Sequence, residues 1–167
     1  MSIYNNFNSS IGSSKYFPQL PIPDSVTGVT LTKSGNFNVL VRWTPTQING
    51  VDCDVLVFFR GNHSNANYAL SNAIESDIIN TTFSANTTYP TVASQKSDIN
   101  GGNGQVVLLG QGTQNGTLRE VLVETNILIN RTHFSVGIYS YNGDINNPNP
   151  ATISFNINQA SATARLR

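Results

Sequence analysis

Apolar and polar residues alternate in short runs along most of this chain, and turn sequences separate the runs at intervals of about 8–15 residues. Side chains of a β-strand point alternately to opposite faces, so this pattern is typical of strands with one buried face. The run 36–44 is the clearest example, because every second position from Phe37 to Trp43 is apolar. The best helical candidate, 67–76, is at most about three turns long. We therefore predict an all-β fold.

These runs, together with the less regular stretches 77–83 and 89–93, give nine candidate segments for a fold of about eight strands. Asn-Gly pairs mark several turns, because both residues tolerate the positive φ that tight hairpins require. The sequence GQGTQNGT is expected to join 105–109 and 118–124 as a hairpin. The last strand is expected to direct Ile153, Phe155 and Ile157 into the core. The predicted strands are 26–31, 36–44, 51–59, 77–83, 89–93, 105–109, 118–124, 133–141 and 151–157.

Strands of this number and spacing are typical of an antiparallel β-sandwich of jelly-roll or immunoglobulin-like type. Residues 25–158 are predicted to form this domain. Residues 1–24 are predicted to be an extended N-terminal arm, because its three prolines fix φ and favour extended backbone at the residues before them. Residues 159–167 are expected to be a C-terminal tail.

The charge of the chain excludes two classes of partner. Nine Lys+Arg balance nine Asp+Glu, and 11% of the 167 residues are charged. A neutral chain lacks the positive surface that binds a phosphate backbone, so no nucleic-acid partner is expected. No apolar stretch approaches the roughly 20 residues that span a bilayer, so no membrane partner is expected. Asn, Ser and Thr account for 56 of the 167 residues, which predicts a surface that bonds through uncharged groups.

The residue types that act as nucleophiles or bases form no recognisable catalytic pattern. His63 and His133 are far apart in sequence, and no serine lies in a G-x-S-x-G motif. Cys53, the only cysteine, lies in an apolar run and has no partner for a disulfide. Glu120 and Glu124 would lie about 13 Å apart on a strand, beyond the roughly 5–9.5 Å of glycosidase carboxylates. We therefore predict that the protein is not an enzyme.

The strongest candidate for a metal site is a pair of aspartates. Asp52 and Asp54 alternate with apolar residues, so both carboxylates are expected on one strand face, about 7 Å apart. Ca²⁺ takes oxygen ligands, and the loop SDINGGNG could add Asp98. The other interpretation is that both aspartates form the solvent-facing side of an amphipathic strand. If the first holds, the protein would be a calcium- or glycan-binding module; no other cofactor is expected.

A strand that ends in Trp43 (LVRWT) precedes a D-x-D strand (GVDCDVLVFF), an Asn/Gly loop and the closing sequence HFSVGIYSYNGDINNPNPATISFNI. In this order the elements resemble the TerD-like tellurium-resistance β-sandwich domains over roughly residues 29–158. The resemblance implies a β-sandwich. TerD-like domains carry further acidic calcium ligands in loops, whereas asparagines and glycines fill most of the comparable region here.

The arm and the composition together predict a structural role. An arm of 24 residues could reach roughly 80 Å and join neighbouring subunits, either copies of the chain or a larger shell or scaffold protein. Residues 1–25 contain neither a basic n-region nor an apolar h-region, so no secretory leader is expected and synthesis in a host cytoplasm is predicted. This character suits a virion component, such as a phage capsid decoration (cement) protein or a minor capsid or tail protein. The predicted partner-binding residues are Tyr4, Phe7, Tyr16, Phe17, Arg165 and Arg167.

Overall fold

The computed structural model describes residues 20–63, 104–125, 128–129, 132–145, 152–156 and 159–167. Within these ranges every regular element is a strand, which confirms the all-β fold. The same ranges hold no helix with the length and apolar character needed to cross a membrane. The strands are β1 (Thr27–Lys33), β2 (Asn38–Thr44), β3 (Gln47–Ile48), β4 (Val51–Asp52), β5 (Asp54–His63), β6 (Gly104–Gly110), β7 (Thr113–Asn115), β8 (Leu118–Glu124), β9 (Thr132–Gly143), β10 (Ile153–Phe155) and β11 (Ala160–Leu166).

Two antiparallel sheets pack as a sandwich. The four-stranded sheet has the order β1-β2-β8-β7. The five-stranded sheet has the order β10-β9-β5-β6, and β11 pairs with the first part of β9 while β10 pairs with its end. β3 and β4 form a separate two-stranded hairpin. The predicted antiparallel β-sandwich is therefore confirmed.

Alternate residues of both sheets form the core between them. On β2 the buried face is the predicted one, with Val39, Val41 and Trp43 at most 1% exposed. Phe37, expected on the same face, precedes the strand and is 49% exposed. The facing sheet supplies alternate apolar residues of β5 and β9, namely Val55, Val57, Phe59, Phe134, Val136 and Ile138.

The five-stranded sheet is apolar on its other face as well. Leu56 and Phe58 of β5 lie there, between the core residues in sequence, with Tyr141 of β9. The Phe155 ring stacks on the Tyr141 ring with centroids 5.9 Å apart. Ile153 and Phe155 are buried as expected, at 7% and 5% exposure, and they belong to this second cluster rather than to the one between the two sheets. Ile157 lies outside the described residues.

The hairpin expected between 105–109 and 118–124 does not form. β6 pairs with β5 in one sheet, whereas β8 pairs with β2 in the other, and residues 110–112 cross between the sheets. The tight hairpin joins β7 to β8 instead. Gly116, with φ of 61°, is the first of its two turn residues, as in a type II′ turn. A turn motif indicates a local reversal, but it does not say in which sheet the more distant strands lie.

The predicted strand 51–59 is interrupted at Cys53. Its amide N–H donates to the carbonyl oxygen of Thr46 at 2.9 Å, outside either sheet ladder. β4 therefore belongs to the two-stranded hairpin and β5 to the five-stranded sheet. The hairpin turn is Asn49-Gly50, with φ of 52° and 77°, and positive φ at both residues is the mark of a type I′ turn.

The sandwich extends beyond residue 158, where its end was expected. Residues 160–166, expected to belong to a tail, form β11 and pair with residues 132–138 of β9. Leu166 is buried in the core, and alternate alanines of the strand pack against it: Ala160, Ala162 and Ala164. The segments predicted as strands 77–83 and 89–93, and the helical candidate 67–76, lie outside the described residues.

Candidate functional site

The last residues of the predicted arm are bound to the sandwich by side chains of β9, β10 and the residue after β10. Ser140 Oγ donates to the carbonyl oxygen of Asp24. Both Asn142 Nδ2 and Ser154 Oγ donate to the carbonyl oxygen of Pro21, at 3.2 and 2.6 Å. Asn156 Nδ2 donates to the carbonyl oxygen of Pro23 at 2.6 Å. We call the four donor side chains, Ser140, Asn142, Ser154 and Asn156, the carbonyl clamp.

The prolines explain why side chains make these bonds. Pro21 and Pro23 have no N–H, so this stretch cannot pair with a sheet edge through a regular ladder. Its carbonyl oxygens still need donors where they are shielded from water. Ser140 and Ser154, which are 1% and 7% exposed, supply hydroxyl groups at this place. The donors lie at least 116 positions from their acceptors, so no local sequence pattern could have indicated the clamp.

Gly143 lets the stretch approach the end of β9. A Cβ built at this position would overlap the carbonyl oxygen of Thr152 and would lie 2.6 Å from Leu20 Cδ1. The φ of Gly143 is +99°, which side chains rarely allow. The Asn142-Gly143 pair therefore has two roles. Asn142 supplies a hydrogen-bond donor to the clamp, and Gly143 leaves the space that Leu20 occupies.

Asp52 holds the β3–β4 hairpin against the four-stranded sheet. Its Oδ1 accepts from Gln47 Nε2 at 2.8 Å, and its Oδ2 accepts from Nε and Nη2 of Arg119, both at 2.8 Å. Gln111 Nε2 donates to the Asp52 carbonyl oxygen at 2.7 Å. The hydrogen bond from Gln47, followed by the bond and charge of Arg119, holds the pKa of Asp52 below its ordinary value despite burial.

Asp54 has a different environment, although it is two residues away. It opens β5 opposite Tyr141 of β9. Burial raises the pKa of Asp54 above its ordinary value. Burial also raises the pKa of the Tyr141 hydroxyl, and the charges of Asp54 and Asp144 act in the same direction. A cavity of about 260 Å³ lies between the two aspartates and Tyr141.

Cys53, which is one of the residues that line this cavity, does not have the features of an activated nucleophile. Cys53 is buried, and burial, together with the charges of Asp54 and Asp52, raises the pKa of its thiol. The thiolate is the reactive form of cysteine, and its population falls as the pKa rises. Cys53 therefore acts as a small apolar residue at the junction of β4 and β5.

The two aspartates of the predicted metal site, Asp52 and Asp54, differ in how available their carboxylates are to a cation. Both oxygens of Asp52 are engaged by Gln47 and Arg119, so a cation would have to displace a guanidinium group there. Among the described residues, no group of three or more His, Cys, Asp or Glu side chains is arranged to hold a metal ion. Asp98 lies outside the described residues, and Ca²⁺ binding stays a prediction.

The structure describes two of the predicted partner-binding residues. Arg165 lies on β11 opposite His133, and Arg167 is the residue after this strand. Both side chains are exposed. Tyr4, Phe7, Tyr16 and Phe17 lie outside the described residues. The exposed arginines are therefore on the sandwich itself, not on a separate tail.

An open groove lies on the side of the sandwich away from β11, and no sequence signal pointed to it. It has a volume of about 510 Å³ and lies between β6 and β8, beside the crossing at residues 110–112. Leu108 and Leu109 line one side, and Val121 and Leu122 line the other. On the opposite side of the sandwich, β11 lies against β1. At one side of the sandwich β1 and β11 are in contact, whereas at the other side an open groove lies between β6 and β8.

Fold and site together define a two-sheet antiparallel β-sandwich with a proline-containing N-terminal stretch bound along one end. No family model, no curated protein and no solved structure matches the chain. The resemblance to TerD-like domains therefore stays a prediction, and the function has to be argued from the chain itself.

Proposed function

We propose that this protein is a non-enzymatic structural subunit of a multi-subunit assembly, of the kind that lies on the outside of a virus particle. Its β-sandwich is the folded unit, and residues 1–19 join it to neighbouring subunits. The partners are copies of the chain and a larger shell protein. A calcium- or glycan-binding module has less support, because Gln47 and Arg119 already occupy the Asp52 carboxylate.

The carbonyl clamp is the observation that carries this proposal. It holds residues 21–24 against the sandwich through four side-chain hydrogen bonds, so residues 1–19 would extend from a defined place on its surface. Nineteen residues can extend roughly 60 Å, more than a domain of this size is wide. A long segment with a fixed origin is suited to reaching a neighbour.

The charge distribution gives further support. The chain has no net charge. Two of its ion pairs, Arg42–Glu120 and Asp52–Arg119, form between residues of the same chain. Neutral copies pack closely without long-range repulsion. Their contacts would rely on hydroxyl and amide groups, which are abundant in the sequence.

The test is to compare the full chain with a variant lacking residues 1–19, by sedimentation and native mass measurement. We expect the full chain to form large particles, alone or with its shell partner, and the variant to stay a folded monomer. This truncation ends before the clamp. A second variant lacking residues 1–24 loses every acceptor of the clamp and leaves the buried hydroxyls of Ser140 and Ser154 without partners, so it should also be less stable.

Two results would contradict the proposal. One contradicting result is a full chain that stays monomeric at every concentration and binds to none of the isolated particles with which it is mixed. That result would remove the structural role. A variant without residues 1–19 that assembles as well as the full chain would show that the arm does not join subunits. Circular dichroism of both variants checks that a loss of assembly does not come from unfolding.

A further inference from the structure

Among the residues that the structure describes, β8 has an unpaired edge beyond Glu120. β7 pairs with β8 only as far as the pair Thr113 and Glu120, but β8 continues to Glu124. No strand of the described ranges pairs with this side of residues 121–124. An unpaired strand edge presents N–H and C=O groups to which another chain can bond.

The groups at this edge belong to Leu122 and Glu124. The N–H of Thr125 donates to the carbonyl oxygen of Phe37 at 2.8 Å, in the register that β8 keeps with β2. In an antiparallel pair, residues that bond to a given neighbour alternate along the strand. Odd-numbered residues of β8 therefore bond to β2, and the N–H and C=O groups of Leu122 and Glu124 point to the open side.

A second unpaired edge faces the first across the groove. β6 is the outermost strand of the five-stranded sheet, and β5 is its one partner within the described ranges. The groove between β6 and β8 is open, and beside it the side chain of Leu122 is 41% exposed on the outer face of β8. Backbone donors and acceptors next to apolar contacts are what an added strand requires.

We propose that this groove binds residues 1–17 of another copy of the chain as an added strand, paired with the backbone of Leu122 and Glu124. The assignment rests on the proposed function, and it names the surface at which the arm would join its neighbour.

The sequence of the arm fits an added strand. Residues 2–17 contain no proline, so each can donate an N–H to a ladder, whereas Pro18 ends this series. Ile3, Phe7 and Ile11 occupy odd positions, so they share one face of an extended strand and could pack beside the exposed side chain of Leu122. Aromatic and β-branched residues are also those that strands favour.

The position of Leu20 marks the place on the sandwich from which the arm would extend. Leu20 lies beside Gly143, close to the pair of Tyr141 and Asp54, and Gly110 at the groove pairs with Val55 on the same strand. The arm therefore starts at the end of the sandwich at which the groove begins. A neighbour that presents its groove at this end lies within the reach of 19 residues.

The test uses the full chain and synthetic peptides of residues 1–17. The unmodified peptide should compete with the arms and reduce the mass of the particles. Two control peptides carry N-methyl groups on alternate residues, at odd positions in one and at even positions in the other. An added strand bonds to one edge through every second amide, so one control should compete and the other should lose at least tenfold in potency.

Variants of the full chain provide a second measurement. Leu122→Pro removes one N–H from the open edge, where proline is tolerated, and Leu122→Ala removes side-chain contacts but keeps the N–H. We expect the proline variant to need at least tenfold more protein to assemble, and the alanine variant to be less affected. Hydrogen exchange should protect the amides of Leu122 and Glu124 in particles and not in dilute monomer.

The outcomes separate this inference from the proposed function. Two results would overturn the groove as the binding site of the arm but would not contradict the proposed function. In one, the mass of the particles responds equally to both N-methylated peptides. In the other, the amides of Leu122 and Glu124 exchange freely in particles. Protection of these amides in dilute monomer would show that the chain's own arm fills the groove, which also overturns the inference. A full chain that never assembles overturns the proposed function itself.

Discussion

Asp52 and Asp54 flank the same cysteine, but they are stabilised differently. Gln47 and Arg119 bond to the Asp52 carboxylate and lower its pKa, whereas burial raises the pKa of Asp54. Removal of a carboxylate from water favours its neutral form unless donors or positive charges compensate. Two residues with the same side chain therefore contribute to stability with opposite signs as pH changes.

The variant Asp54→Asn should be more stable than the native protein at pH 7. The folded state binds the Asp54 proton more tightly than the unfolded state, so native stability falls as pH rises from about 3.8 through the raised folded pKa. The side chain is partly exposed, and after allowance for solvent screening the gain is below about 1 kcal/mol, or roughly 2–4 °C in Tm. Thermal unfolding between pH 3 and 8 measures it. A difference of the same size at pH 3 would show that charge is not the cause.

Gly112 should not tolerate a side chain. Its φ is +72°, and a Cβ would lie 2.8 Å from the Glu120 carbonyl oxygen and 2.9 Å from Trp43. Gly112→Ala combines backbone strain of about 1–2 kcal/mol with overpacking of about 1–3 kcal/mol. The matched control is Gly50→Ala, with φ of +77° and nothing within 4 Å of the added Cβ. Denaturant unfolding should show the larger loss for Gly112→Ala; equal losses would contradict the contact with Trp43.

The β3–β4 hairpin illustrates how a short element is held in place. Two residue pairs form its own ladder, too few to hold it alone. The bonds of Asp52 to Arg119 of β8, and of Gln111 to the Asp52 carbonyl, attach it to the rest of the sandwich. A turn of the correct type shapes the hairpin, but contacts with distant strands decide where it lies.

A double-mutant cycle on Asp52→Ala and Arg119→Ala should give a coupling of about 1 kcal/mol at pH 7, since these side chains are 14% and 15% exposed. The coupling is complete above pH 3.8 and is lost as pH falls through the lowered pKa of Asp52. The more exposed pair Arg42–Glu120 is the control and should couple less. A coupling for Asp52 and Arg119 that is zero, or independent of pH, would contradict the bonds described.

For the whole molecule, alternation predicted the fold wherever a strand buries one face. The face of β2 that carries Trp43 is an example. Alternation is weak in β10, because Ile153, Ser154 and Phe155 are all buried. It was also missed in β11, whose sequence ASATARL has small and polar residues of low strand propensity. Pairing with β9 makes this segment a strand.

The site was harder to predict than the fold, because its bonds join distant parts of the chain. Asp52 and Asp54 were recognised as notable from their spacing, but Arg119, the partner of Asp52, is 67 positions away. The clamp and the groove depend on how two sheets are assembled. The extended arm over residues 1–24 stays a prediction, because residues 1–19 lie outside the described residues, and no sequence pattern indicated which side chains would hold residues 21–24.

The carbonyl clamp also sets how easily the arm can lengthen. Its four bonds come from side chains, so Leu20–Asp24 could detach while the ladder between β9 and β10 stays complete. Detachment would add about 16 Å to the span of the preceding chain. The next anchor, Val26, is 2% exposed in the core and would stop the release there. Under the proposed function, copies at slightly different spacings, as on a curved surface, would then be joined by the same chain without unfolding of any strand.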